Sequence, residues 1–154
     1  MKLFNTISLG VILPLGFAAA PVFAAIPAHP GVLNYVEGQA RIDGRDVSCS
    51  NVGTADVQQG QVIETANGKA EILLTPGVFL RLGDNSAVRM DSTSLIDTRV
   101  AVLNGRAMIE ADNLQKNNNI RVLDNGAVAR LEKNGLYSFA SSPAVAATMT
   151  ASCR

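Results

Sequence analysis

Two cysteines, one histidine and a scatter of carboxylates are the first places to look for chemistry in this 154-residue chain. Cys49 and Cys153 stand far apart, and neither belongs to a Cys-x-x-Cys pair. A zinc site wants three or four Cys, His or carboxylate ligands, which this set does not supply. Nucleophilic catalysis of the Ser/His or Cys/His kind needs an imidazole held beside the nucleophile. The one histidine, His29, sits between Pro27 and Pro30 in a stretch that reads as linker. Asp43, Asp84 and Asp124 each precede Gly or Asn, the composition of a turn rather than of an acid/base pair. There is no EF-hand ligand spacing, and no glycine-rich phosphate loop that opens a helix. The expectation is a protein that is not an enzyme, with no catalytic residues, no metal and no cofactor.

Arginine is the remaining candidate. Arg81, Arg89, Arg99, Arg106, Arg121 and Arg130 recur through the second half of the chain, mostly opposite apolar positions. They could line one face as a basic stripe for an acidic protein or glycan, with Arg81 and Arg99 as the residues to test. The favoured reading is of solvated arginines on an outer face, interleaved with glutamates. The whole chain balances 13 basic against 13 acidic residues, and Lys2 is the only charge in its first 24 residues. Such balance argues against nucleic acid or an anionic membrane held by bulk electrostatics. The absence of Trp removes the usual sugar-stacking platform.

The elements that must position these residues read as strands. Lys69 to Met90, KAEILLTPGVFLRLGDNSAVRM, is the stretch around which the chain is organised. Thr75-Pro76-Gly77-Val78 has the composition of a type II turn, and Gly83-Asp84-Asn85-Ser86 makes a second bend. Between them Val78, Leu80 and Leu82 alternate with Phe79 and Arg81, the period of a strand with its aliphatic side chains inward. VLNYV and QARID flank Glu37-Gly38 as two short strands, and QVIET is a third. Arg45 to Gly60 is irregular, with weak strand character at Asp56-Val57. Asn-Gly occurs at 67, 104, 125 and 134, each time between strand-like runs. TRVAVL and RAMIEA around Asn104-Gly105 read as the clearest hairpin, since Asn-Gly suits a type I′ turn. The fold class is all-β: a short-stranded twisted solenoid, a roll or a sandwich.

Met1 to Ala24 reads as a cleaved signal peptide, with Val22-Phe23-Ala24 as the cleavage site, which predicts a periplasmic or secreted protein without stable membrane insertion. Residues 25–31 read as linker, 32–140 as one β domain, and 141–154 as a flexible tail of low strand pattern. In an oxidising compartment a disulfide between Cys49 and Cys153 would staple that tail to an early loop, adding roughly 2–4 kcal/mol. The sequence leaves that pairing open, because the separation of the two Cα atoms decides it.

VEGQARIDG, QQGQVIET, GKAEILLTPGVFLRLGDNSAVRM, VLNGRAMIEAD and NGLYSF together resemble the FecR-type extracytoplasmic domain over Gly31 to Phe139. The resemblance implies an all-β, solenoid-like domain without catalytic residues, from regulators that relay receptor occupancy to a sigma factor. Those regulators carry a cytoplasmic segment and a membrane helix ahead of the domain and further strands after it, where this sequence has a short leader and SSPAVAATMTASCR. The function expected is a binding or signalling module acting through protein contacts in the cell envelope. The alternatives are a cell-wall or polysaccharide binder, and a truncated FecR-domain product without a role of its own.

Overall fold

The computed structural model describes residues 29–142, so the leader, Cys153 and nearly all of the expected tail lie outside the described residues. The regular structure there is nine strands and one turn of 3-10 helix, Cys49–Asn51. The strands are β1 (Leu33–Ile42), β2 (Arg45–Val47), β3 (Val62–Thr75), β4 (Val78–Leu82), β5 (Ala87–Ser94), β6 (Asp97–Ala111), β7 (Ile120–Asp124), β8 (Ala127–Arg130) and β9 (Gly135–Ser141). The all-β expectation holds, and the Thr75 to Val78 turn joins β3 to β4 with Gly77 at φ +78°.

The strands form one continuous sheet, antiparallel except where β7 runs parallel to β6. β4 and β5 do not turn back on each other. Both run antiparallel to β3 and to β6, so together they act as one interrupted strand between those two long neighbours. β9 and β7 likewise lie end to end along the other edge of β6. The sheet therefore has two halves. One holds the start of β1, the end of β3, β4, the end of β6, and β9. The other holds β2, the end of β1, the start of β3, β5, the start of β6, β7 and β8. Largely antiparallel pairing around two long bent strands is the roll-like form among those expected; stacked parallel coils would be needed for a solenoid.

The halves meet along a line that crosses every long strand. In β3, the buried positions are Ile63 and Thr65 before the line and Ala70, Ile72 and Leu74 after it, so the parity switches at Asn67-Gly68. In β6 it switches from Val100 and Val102 to Ala107 and Ile109, across Asn104-Gly105. An extra residue at a β-bulge has this effect, bending the strand and resetting which side faces inward. These two Asn-Gly pairs are thus bends inside single strands of 14 and 15 residues, not hairpin turns. Glu37-Gly38 is a bend in β1 by the same logic, with Gly38 at φ +69° paired to Gly68. Of these Asn-Gly pairs Asn125-Gly126 makes the two-residue turn, with both residues at positive φ between β7 and β8, as Asp43-Gly44 does between β1 and β2.

Side-chain hydroxyls stitch the line where ladder bonds are interrupted. Thr65 Oγ1 donates to the Gly83 carbonyl at 2.5 Å and accepts from the Ser86 amide at 3.1 Å. Ser86 Oγ accepts from the Arg106 amide at 2.9 Å and donates to the Asp84 carbonyl at 3.0 Å. Both side chains are buried. Inside the fold, Val78, Leu80, Leu82, Val88 and Met90 from the organising stretch join buried side chains of both halves in one cluster. The sequence reading of the inward face was correct for Val78, Leu80 and Leu82.

Two boundaries shift. Pro30 and Gly31, expected as linker, are buried, and Gly31 bonds to Leu73 and Val57 through its backbone. Ser141, expected in the tail, ends β9, where its hydroxyl donates to Asn125 Oδ1 at 3.1 Å. A Cβ on Gly105 would run into the Asn85 carbonyl and the Ser86 hydroxyl, whereas one on Gly126 meets nothing. Both glycines are at positive φ. Gly126→Ala should therefore cost about 1–2 kcal/mol for backbone conformation alone, and Gly105→Ala about 3 kcal/mol or more. Equal losses in urea denaturation would show that the line tolerates opening.

Candidate functional site

The bend line sorts the arginines. Arg81 leaves β4 on the outer face of one half, directly across from Glu71 of β3. Its Nε lies 2.5 Å from Glu71 Oε2, and its Nη1 pairs with Glu110 of β6. Asn34 Nδ2 donates to the other oxygen of Glu71. The hydrogen bond that Arg81 donates to Glu71 leads the interactions that raise the Arg81 pKa above its ordinary value. One guanidinium between two carboxylates leaves Arg81 itself without charge to offer. Nearby, Tyr35 donates to Glu37 Oε2 at 2.6 Å, and that bond raises the tyrosine's pKa.

Arg99 lies on the other half, so the two arginines selected from the sequence do not share a surface. The pairing of β6 with β7 and of β7 with β8 places Arg99 across from Arg121 and Arg121 across from Arg130. The inward neighbours Val100, Val122 and Leu131 are buried, which leaves the three arginines on the outer face. Strands lie about 5 Å apart, so three guanidinium stems rise from adjacent positions in one row. Like charges directly opposite each other destabilise a sheet.

A single carboxylate relieves part of this. Asp97 Oδ1 lies 2.6 Å from Arg121 Nη2 and accepts from Asn119 Nδ2 at 2.9 Å, while Oδ2 lies 3.5 Å from Arg99 Nε. The Arg121 hydrogen bond is the main cause holding the Asp97 carboxyl below its usual value. Arg121 Nε is buried with no hydrogen-bond partner among the described residues. Arg130 is exposed and makes no ion pair with any described residue. The adjacent Arg89 is matched by Asp91, 2.6 Å from its Nε. Three arginines against one aspartate leave the row positively charged.

Arginine stays protonated at any working pH, so the row cannot serve as an acid or base. It can bind carboxylate, phosphate or sulfate oxygens, in bidentate geometry where two N–H groups reach one anion. Among the described residues no three His, Cys, Asp or Glu side chains gather to hold a metal. His29 makes its ring contact with the Pro30 carbonyl at 3.3 Å. Cys49 is exposed in the 3-10 turn, and the other cysteine, Cys153, lies outside the described residues, so their pairing stays open. Comparison of the chain with protein-family models, curated proteins and solved structures returns no match.

The sequence offered these three only within a stripe of six arginines and did not show which of them align, because the β6–β7 pairing is parallel and joins strands on either side of an irregular loop. Arg99 and Arg121 have no spacing that announces it. The lowered Asp97 pKa gives a pH test. The folded state binds this proton less readily than the unfolded chain, so the carboxylate's contribution is present above the unfolded pKa and lost as pH falls through the folded one. Thermal stability of the wild-type protein should therefore fall more steeply than that of Asp97→Asn between about pH 5 and about pH 2. Parallel curves would mean that Asp97 is not held by the arginines.

Proposed function

We propose that this chain is a non-enzymatic, exported binding module of FecR type, which acts by protein–protein contact in the bacterial envelope and uses the Arg99–Arg121–Arg130 row as its contact surface. The carrying observation is the row itself: three cross-strand arginines with one carboxylate among them. A like-charge row of this kind costs some stability, and an anionic partner would relieve that cost. Export is supported by the apolar leader ending in Val22-Phe23-Ala24. The FecR reading is supported by the sequence stretches that resemble that domain, and the all-β fold is consistent with it.

Charge complementarity mainly speeds association and sets specificity, and it weakens as salt screens it over about 8–10 Å. An acidic wall polymer offers the same charges, so the test must separate it from a protein. Purified protein should capture an envelope protein saturably, with the yield falling as salt rises. Arg99→Glu should reduce capture at least about tenfold, while a folded Arg81→Glu should leave it nearly unchanged. Equal loss in both variants would move the contact off the row. Capture that survives protease and disappears on glycan digestion would favour the polysaccharide alternative.

A further inference from the structure

The arginine row ends at an open backbone edge. β8 is joined to β7 by the two-residue Asn125-Gly126 turn, with Asp124 across from Ala127, Leu123 from Val128, Val122 from Ala129 and Arg121 from Arg130. In a two-residue hairpin the pair closing the turn is hydrogen-bonded, and bonded and non-bonded pairs then alternate. Ala127 and Ala129 therefore direct their N–H and C=O groups toward β7. Val128 and Arg130 direct theirs away from it, to the outer edge. No backbone hydrogen bond from another described segment reaches either residue. All four residues of β8 are exposed, and Val128 is 63% exposed.

The residues with outward-facing backbone groups are also those whose side chains lie on the face of the arginine row. A strand added at this edge would place one of its residues across from Arg130, as the next position after Arg99, Arg121 and Arg130. The same strand would set a residue two positions away across from Val128. A carboxylate suits the first position and an apolar side chain the second. A second copy of this chain suits neither, since its own β8 would bring arginine to the seam. Charge on an edge strand is a known guard against self-pairing.

We infer that β8 accepts an extended acidic peptide segment as an added strand, backbone to backbone, with its carboxylate completing the arginine row. This rests on the reading of the row as the contact surface and names the partner's chemistry: an extended segment with an acidic and an apolar residue at i and i+2.

The test uses the full chain and a fluorescent eight-residue peptide in which glutamate and valine take turns at every second position, separated by serines, so that the two stand at i and i+2 of an antiparallel added strand. The same peptide with lysine for glutamate, and one with N-methylated valines, serve as controls. Binding followed by anisotropy should occur with the glutamate peptide and not with the lysine peptide. Val128→Pro removes an edge N–H that the fold does not use, a position where proline is tolerated. That variant and the N-methylated peptide should each bind about five- to tenfold more weakly. The Val128 and Arg130 amides of the wild-type protein should gain protection from hydrogen exchange when the peptide is added. If the glutamate peptide binds yet neither change weakens it and no protection appears, strand addition is wrong while the charged surface stands. If Arg99→Glu and Arg130→Glu bind the glutamate peptide like the wild type, the arginine row falls with it.

Discussion

The structure depends on the line at which its sheet bends. A sheet of long strands that stayed flat would leave one face of Ile63, Leu80, Val88 and Ile109 in water; bending lets the two halves bury that face against each other. The bend interrupts ladder hydrogen bonds in a region closed to solvent, where an unpaired backbone group costs roughly 1–3 kcal/mol. Thr65 and Ser86 resolve the conflict, since each hydroxyl can donate once and accept as well. Their bonds to Gly83, Ser86, Asp84 and Arg106 carry the ladder across the gap. The glycines supply the other half of the solution. Gly68 lies so close to β1 that a Cβ would come within 2.5 Å of the Gln39 nitrogen and the Glu37 oxygen.

This explains which parts of the fold were legible in the sequence. The period-2 runs locate strands because inward and outward residues alternate whatever the topology, and so Val78, Leu80 and Leu82 were placed correctly. Asn-Gly was read as reversal because a pair of positive-φ residues is what a tight hairpin needs. A bulge at a bend also calls for positive φ, and Gly105 at φ +75° meets that need inside a continuous strand. The dipeptide reports backbone conformation, and only the pairing of the flanking runs decides whether the chain turns back. Val100 and Ile109, on either side of Asn104-Gly105, belong to opposite halves of the sheet rather than to facing strands. Residues 45–47 escaped notice as a strand because three polar-flanked residues carry too little pattern.

The arginines show the same limit in electrostatic terms. Local sequence places Arg81 and Arg99 on strands, outward, and that much is right. Whether either is available to a partner depends on neighbours distant in the chain. Glu71 and Glu110 reach Arg81 from two different strands, while Arg99 has to share Asp97 with Arg121. Two arginines with the same local appearance therefore have opposite roles, one committed within the sheet and one with charge to spare.

Overall charge balance is a poor guide to such a protein. Equal numbers of acidic and basic residues give no net field at long range, which is why bulk attraction to nucleic acid or a membrane was discounted. At contact distance the relevant quantity is the charge within a Debye length, about 8 Å at physiological salt. β6 carries one acid and one base on each side of the bend line, Asp97 and Arg99 before it and Arg106 and Glu110 after it, so the excess charge of the row comes from Arg121 of β7 and Arg130 of β8. The bend that builds the core also keeps the two sides apart, leaving a matched network around Arg81 and an unmatched row ending at Arg130. A near-neutral sequence can in this way present a locally charged surface, with an open strand edge at its end.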